Sequence, residues 1–190
     1  MVHTLDDISL LDRFNNGDQS AFEIIVLKYQ DRIYNLCRHM LGNIHDAEEA
    51  AQDTFIKAYR NLGKFAPKAS LYTWLYRIAV NTCLDYKKKP FFESLFKTSD
   101  EGAEYLVEQV SDEPSPERLY ESKQTGYALQ KSLKQLSPKL SVVIILKEIE
   151  GLSYEEVSEV LDISIGTVKS RISRAREELR ELMKEIMEQK

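Results

Sequence analysis

The stretch LSYEEVSEVLDISIGTVKSRISRAREEL, residues 152–179, reads as two helices separated by a three-residue turn. Ser153-Tyr154-Glu155-Glu156 has the form of a capping box. In that motif the serine hydroxyl accepts from a backbone N–H of the first turn, and the glutamate reaches back to the serine's own N–H. Val157, Val160 and Leu161 give the short helix a buried side, and Asp162-Ile163-Ser164 is a turn of the length a helix-turn-helix needs. On the second helix, at about 100 degrees per residue, Val168, Ile172, Ala175 and Leu179 gather in one arc. Ser170, Ser173 and Arg174 point away from that arc, Lys169 and Arg171 flank them, and no acidic side chain occurs from Ile165 through Arg176.

Such a face suits DNA. Arginine and lysine pair with guanine edges or phosphates, serine bonds either, and a helix N-terminus favours phosphate. The plainer reading is a solvated basic face, which is what charge runs usually mean. Turn length, capping box and the absence of acid together favour the recognition helix. The preceding segments carry Glu148, Glu150, Glu155, Glu156, Glu159 and Asp162, so positive charge is concentrated on one helix of an acidic region.

Upstream, Ser137-Pro138 opens another helix with proline at its first position, and Gly151 closes it. The N-terminal half also shows helical spacing. Phe22, Ile25, Val26, Tyr29, Ile33, Leu36, Cys37 and Met40 follow steps of three and four up to Gly42, a natural C-cap. From about His45 to Leu62, Ala47, Ala51, Thr54, Phe55, Ala58 and Leu62 form an inward stripe that Gly63 ends. After the loop at Lys64–Ala69, Ser70 is a candidate N-cap for a helix through LYTWLYRIAVNTCLDYKKK, stopped by Pro90.

Between Pro90 and Pro116 the composition turns to Ser, Asp, Glu and Pro, with apolar clusters at Phe91-Phe92, Leu95-Phe96 and Tyr105-Leu106-Val107. The clusters read as short docking segments or as local helices. The expected fold is all-α, with two small helical domains at 1–89 and 117–190 joined by a flexible acidic linker at 90–116.

The 190 residues can bury one medium core or two small ones; 43% hydrophobic and 30% charged residues, with 7 Gly and 5 Pro, fit a folded helical protein. No apolar run spans a bilayer and MVHTLDD lacks signal-peptide anatomy, so a cytoplasmic chain is expected. The net charge of −5 and pI near 5.4 depart from the basic footprint of a protein that grips DNA unaided, so DNA binding must be local or assisted. Cys37 and Cys83 sit in apolar patterns that predict buried reduced thiols. Cys37, His39 and His45 have poor ligand spacing. No phosphate-cradling glycine loop or nucleophile–base pair is evident, and neither an enzyme nor a bound cofactor, metal or small-molecule substrate is expected.

GTVKSRISRAREEL with the preceding LSYEEVSEVLDIS resembles region four of bacterial sigma factors, and TWLYRIAVNTCLDYKKK resembles their region two. Both in this order resemble the extracytoplasmic-function (ECF) group of the sigma-70 family, which keeps only those two domains. The resemblance implies a protein that directs RNA polymerase to specific promoters and assists strand opening. Lys169, Ser170, Arg171, Ser173 and Arg174 would read the minus-thirty-five element in the major groove, although family members often carry a bulkier residue at the position of Ser173. The minus-ten element would be bound as a separated strand by the loop at Lys64–Ser70 and the helix after it, with Asn81 at a matching position. Unstacked bases need planar platforms, donors and a cationic track. Phe65, Lys68, Ser70, Trp74, Arg77, Asn81 and Lys88 supply these, alongside Tyr72 and Tyr76; the commoner role of Trp74 and Tyr76 is in a core.

HDAEEAAQDTFIKAYRNL resembles the segment that binds the clamp helices of the largest polymerase subunit, putting Gln52, Asp53, Ile56 and Lys57 on that contact. The implied partners are core RNA polymerase, through its clamp helices and flap, promoter DNA, and an anti-sigma factor, in this family often membrane-bound. The alternative is an autonomous helix-turn-helix regulator acting without polymerase. It would bind duplex DNA as a dimer, for which no dimer helix is evident.

Overall fold

The computed structural model describes residues 6–65, 70–88 and 116–188, with side chains described for all of these but 116–124. The chain divides into two compact units. The first contains α1 (Asp7–Asn15), α2 (Ser20–Leu41), α3 (Ile44–Leu62) and α4 (Leu71–Lys88). Helices α2, α3 and α4 pack against one another, and α1 lies on α2. The inward residues of α2 are Ala21, Ile25, Tyr29, Ile33, Leu36, Cys37 and Met40; Phe22 and Val26, expected among them, lie half-buried at the margin. Gly42 closes α2 with φ 73°, a left-handed conformation open to glycine without the Cβ penalty.

Helix α3 starts at Asn43, whose side chain accepts from the Asp46 amide at 2.7 Å. Its buried stripe is Ala47, Ala50, Ala51, Thr54, Ala58 and Leu62, so Ala50 joins the expected set while Phe55 is only half-buried. The alanines present little side-chain bulk to α2 and α4. Gly63 ends the helix without a left-handed turn, at φ −66°, and the amides of Lys64 and Phe65 bond back to Asn61 and Leu62. Ser70 caps α4 by accepting from the Thr73 amide at 3.0 Å. Cys37 and Cys83 are buried and not joined in a disulfide, as expected.

Helix α1 was not evident from periodicity, because it is short and buries fully only Leu10. Polar contacts hold it: Asp7 accepts from Lys28 Nζ at 2.7 Å and from the Tyr29 hydroxyl at 2.6 Å. Burial, and next Asp7, push the Tyr29 phenol well above its ordinary value.

The second unit carries α5 (Pro116–Gln135), α6 (Pro138–Ile144), the opening turn of α7 (Tyr154–Leu161), and α8 (Ile165–Glu188). Pro138 stands at the start of α6 as expected. The helix does not run regularly to Gly151: Ile145–Ile149 widen into a π-helical turn, and Leu152 then bonds back to the Leu146 carbonyl at 3.0 Å. Leu140, Val142, Val143, Ile144, Ile145, Leu146 and Leu152 are buried, and α8 packs against both α5 and α6.

Candidate nucleic-acid interface

The capping box is made in both directions: the Ser153 amide donates to Glu156 Oε2 at 2.7 Å and the Glu156 amide donates to Ser153 Oγ at 3.1 Å. A cap of this kind contributes about 1 kcal/mol. Val157 and Val160 are buried and Leu161 is half-buried. The turn works because Asp162 takes a left-handed conformation, φ 53°, which aspartate tolerates better than most residues. Ser158 Oγ donates to the Ile163 carbonyl at 2.5 Å. Ser164 then caps α8, accepting from the Thr167 amide at 3.2 Å.

On α8, Val168, Ile172 and Ala175 are buried; Leu179, expected with them, is half-buried further along. Lys169, Ser170, Ser173 and Arg174 are exposed and Arg171 is half-buried. Ser170 Oγ donates to the Thr167 carbonyl at 3.0 Å, which uses its proton and leaves the oxygen able to accept. Arg176 pairs with Glu148 at 2.7 Å, and that contact, more than any other, holds the guanidinium in its charged form.

The residues expected to meet separated strand form a looser set. Phe65 and Trp74 are half-buried with ring centroids 5.2 Å apart, a tilted aromatic pair at the end of α3 and the start of α4. Arg77, Asn81 and Lys88 are exposed along α4, and Lys88 approaches Asp85 at 3.6 Å. Ser70 is exposed but engaged as the α4 cap. Lys68 lies outside the described residues, as does the whole of the expected linker apart from Pro116. Tyr76 is 1% exposed and belongs to the core, so it offers no platform to a base. Tyr72 meets it as a tilted pair with ring centroids 4.4 Å apart, and lies under the Arg32 guanidinium at 5.6 Å.

The four positions expected on polymerase divide in two. Gln52 is exposed and Ile56 is 47% exposed. Asp53 and Lys57 are half-buried and tied to α4: the Tyr86 hydroxyl donates to Asp53 Oδ2 at 3.0 Å, and Lys57 Nζ donates to Thr82 Oγ1 at 3.0 Å. Burial, then Asp53, push the Tyr86 phenol upward. Tyr59, three residues beyond Ile56 and 41% exposed, makes edge contacts to Phe14 at 5.6 Å and Phe22 at 5.1 Å; sequence reasoning did not single out this aromatic on the stripe's outer side. Among the described residues, no cluster of His, Cys, Asp and Glu could hold a metal ion, and no helix is long and apolar enough to cross a membrane.

Comparison with known proteins gives this geometry a context. The Sigma-70 region 2 family matches residues 25–90 and the Sigma-70, region 4 family matches residues 127–179. The chain is also 41% identical over 179 residues to the ECF RNA polymerase sigma factor SigW of Bacillus subtilis, spanning 93% of this chain and 96% of that protein. The chain belongs to the ECF sigma factor family. Sigma factors are transcription initiation factors, and this ECF sigma factor directs RNA polymerase to promoters. It is 37% identical over 184 residues to the RNA polymerase sigma-H factor of Pseudomonas aeruginosa, covering 93% of each. Among solved structures, the sigma factor RpoE of Bartonella quintana, in complex with the anti-sigma factor NepR, superposes with a TM-score of 0.63 at 26% identity, covering 86% of this chain and 96% of that one. The acid-free face of α8 lies within region 4 of the ECF sigma factor; α3 and α4, with their exposed residues, lie within region 2.

Proposed function

We propose that this ECF sigma factor acts as a specificity subunit with no chemistry of its own. Lys169, Ser170, Arg171, Ser173 and Arg174 read the minus-thirty-five duplex. Phe65, Lys68, Ser70, Trp74, Arg77, Asn81 and Lys88 engage the separated minus-ten strand. Gln52, Asp53, Ile56 and Lys57 meet the polymerase clamp helices; Tyr59 extends that patch. One observation carries the reading: the exposed side of α8 holds lysine, arginine and serine without a carboxylate from Ile165 through Arg176, in a chain whose net charge is −5. Local positive charge on an acidic protein favours DNA reading that begins when polymerase holds the sigma factor at the promoter. Strand opening draws its energy from preferential binding of the open form, not from hydrolysis.

The same reading includes a cytoplasmic protein restrained by an anti-sigma factor, supported by the RpoE relative solved with NepR. Membrane attachment, where it occurs, would come through that partner. In the deciding experiment, core polymerase transcribes genomic promoters with and without the chain. Selective initiation only with the chain is expected; its absence with an active core overturns the proposal. A gel shift without polymerase separates this reading from an autonomous regulator, which would give a tight dimeric complex on duplex DNA.

A further inference from the structure

Tyr154 is absent from every contact assigned above, yet it stands where the first helix of the motif opens beside the second. It is the first residue of α7, directly after the Ser153 cap, and its side chain is half-buried. Two ammonium groups share its ring: Lys147 Nζ lies 5.0 Å from the ring centroid and Lys169 Nζ 5.7 Å. Lys147 is tethered independently, donating to the Leu152 carbonyl at 2.9 Å. Lys169 is exposed and extends from the first turns of α8, beside the outward serines and arginines. Seven residues further on, two turns along the same line of the helix, Arg176 is locked to Glu148 of the π-helical turn. One edge of α8 is therefore held at Lys169 and at Arg176, and the Tyr154 side chain reaches both, its ring facing the lysine and a hydrogen bond meeting the arginine beside the Glu148 ion pair.

Aromatic faces attract an ammonium group within about 6 Å. A free lysine otherwise spreads over many rotamers, and restricting them beforehand reduces what is lost when a ligand binds. We infer that Tyr154 is a positioning residue for promoter reading: its ring holds the Lys169 ammonium beside the outward face of α8 before DNA arrives. The inference rests on the reading of Lys169 as a DNA contact. Tyr154 itself need not touch DNA. The ring, rather than the hydroxyl, carries the effect, so phenylalanine should substitute and leucine should not.

The test uses holoenzyme assembled from core polymerase and full-length chains carrying Y154F, Y154L, K169A or Y154L with K169A. Promoter occupancy is measured against salt on templates with an intact or a scrambled upstream element. On the intact template Y154L should lower occupancy about two- to fivefold, the size of a cation–π contact at an exposed site, while Y154F stays near wild type. K169A should lower occupancy and reduce the salt slope by about one, as loss of a phosphate contact does. Y154L should leave the slope unchanged, because the cation remains and only its placement is lost. Adding Y154L to K169A should cost nothing more.

A Y154L defect that persists in the K169A background, or on the scrambled template, makes Tyr154 a structural residue and overturns the inference. If K169A is without effect, the reading of Lys169 fails, and the inference falls with it. A second measurement does not depend on how Y154L folds: in free wild-type protein, the Lys169 side-chain methylene protons should resonate upfield under the Tyr154 ring current. Ordinary positions for those protons overturn the inference as well.

Discussion

Helix α8 and helix α4 both present polar residues to solvent, but they are built differently. On α8 the proposed contacts and the fold are divided between opposite sides: Val168, Ile172 and Ala175 are buried, while Lys169, Ser170, Ser173 and Arg174 are exposed. In the N-terminal unit several of the proposed contacts also serve the fold. Ser70 caps α4, Trp74 packs on Phe65, and Asp53 and Lys57 bond to Tyr86 and Thr82. Changing an exposed residue of α8 leaves its buried side intact, whereas changing Ser70 or Trp74 also removes a cap or an aromatic contact.

The largest expected effect falls on the hidden side of α8. Ile172 is 1% exposed, and Ile172→Ala should destabilise the C-terminal unit by about 2–5 kcal/mol through lost burial and a residual cavity. Chemical denaturation checks this, and a negligible shift would mean that the helix side is wrongly assigned. Next, Arg174→Glu should weaken minus-thirty-five recognition by about 1–3 kcal/mol, roughly five- to a hundred-and-fiftyfold, with stability and polymerase affinity unchanged. Equilibrium melting alongside promoter footprinting reads both quantities. Trp74→Ala should be of similar or smaller size in strand binding, about 1–3 kcal/mol for a lost stacking platform, but it should also lower the melting temperature, because the Phe65 contact disappears with it. If Trp74→Ala left stability untouched, the contrast between the two helices would fail.

The smallest effect concerns the start of α2. Asp18 Oδ1 accepts from the Ser20 hydroxyl at 2.6 Å and amide at 3.0 Å, and Oδ2 accepts from Arg13 Nε at 2.9 Å. The Ser20 side chain first, then Arg13, hold its carboxyl below the usual 3.8. A depressed folded value means the contribution is complete above about 3.8 and is lost as pH falls through the folded pKa. Asp18→Asn should therefore trim stability slightly at neutral pH and flatten the acid end of the stability profile, as measured by melting from pH 2 to 6.

Legibility in the sequence follows the range of the forces involved. The capping box at Ser153, Gly42 as the α2 cap and the buried arc of Val168, Ile172 and Ala175 depend on neighbours within one or two turns, and each was evident from residue order. Ala50 was missed and Phe55 overestimated because they sit at the margins of the α3 stripe, where burial depends on which helices pack against it. Tyr76 could have been a platform or a core residue by composition; the packing of α4 put it inside. Helix α1 gave little signal because its anchors, Lys28 and Tyr29, lie 21 and 22 residues away from Asp7.

The sequence by itself determined an all-helical chain, a helix-turn-helix near its C-terminus and a basic outward face on an acidic protein, since period, caps and charge are local properties. Only the tertiary structure decided that Asp53 and Lys57 are shared with α4, that α6 opens into a π-helical turn, and that Tyr154 stands beside Lys169. The first and last of these depend on side chains meeting across elements, and one-dimensional spacing carries no record of such meetings; the π-helical turn is a backbone departure that the apolar period does not mark.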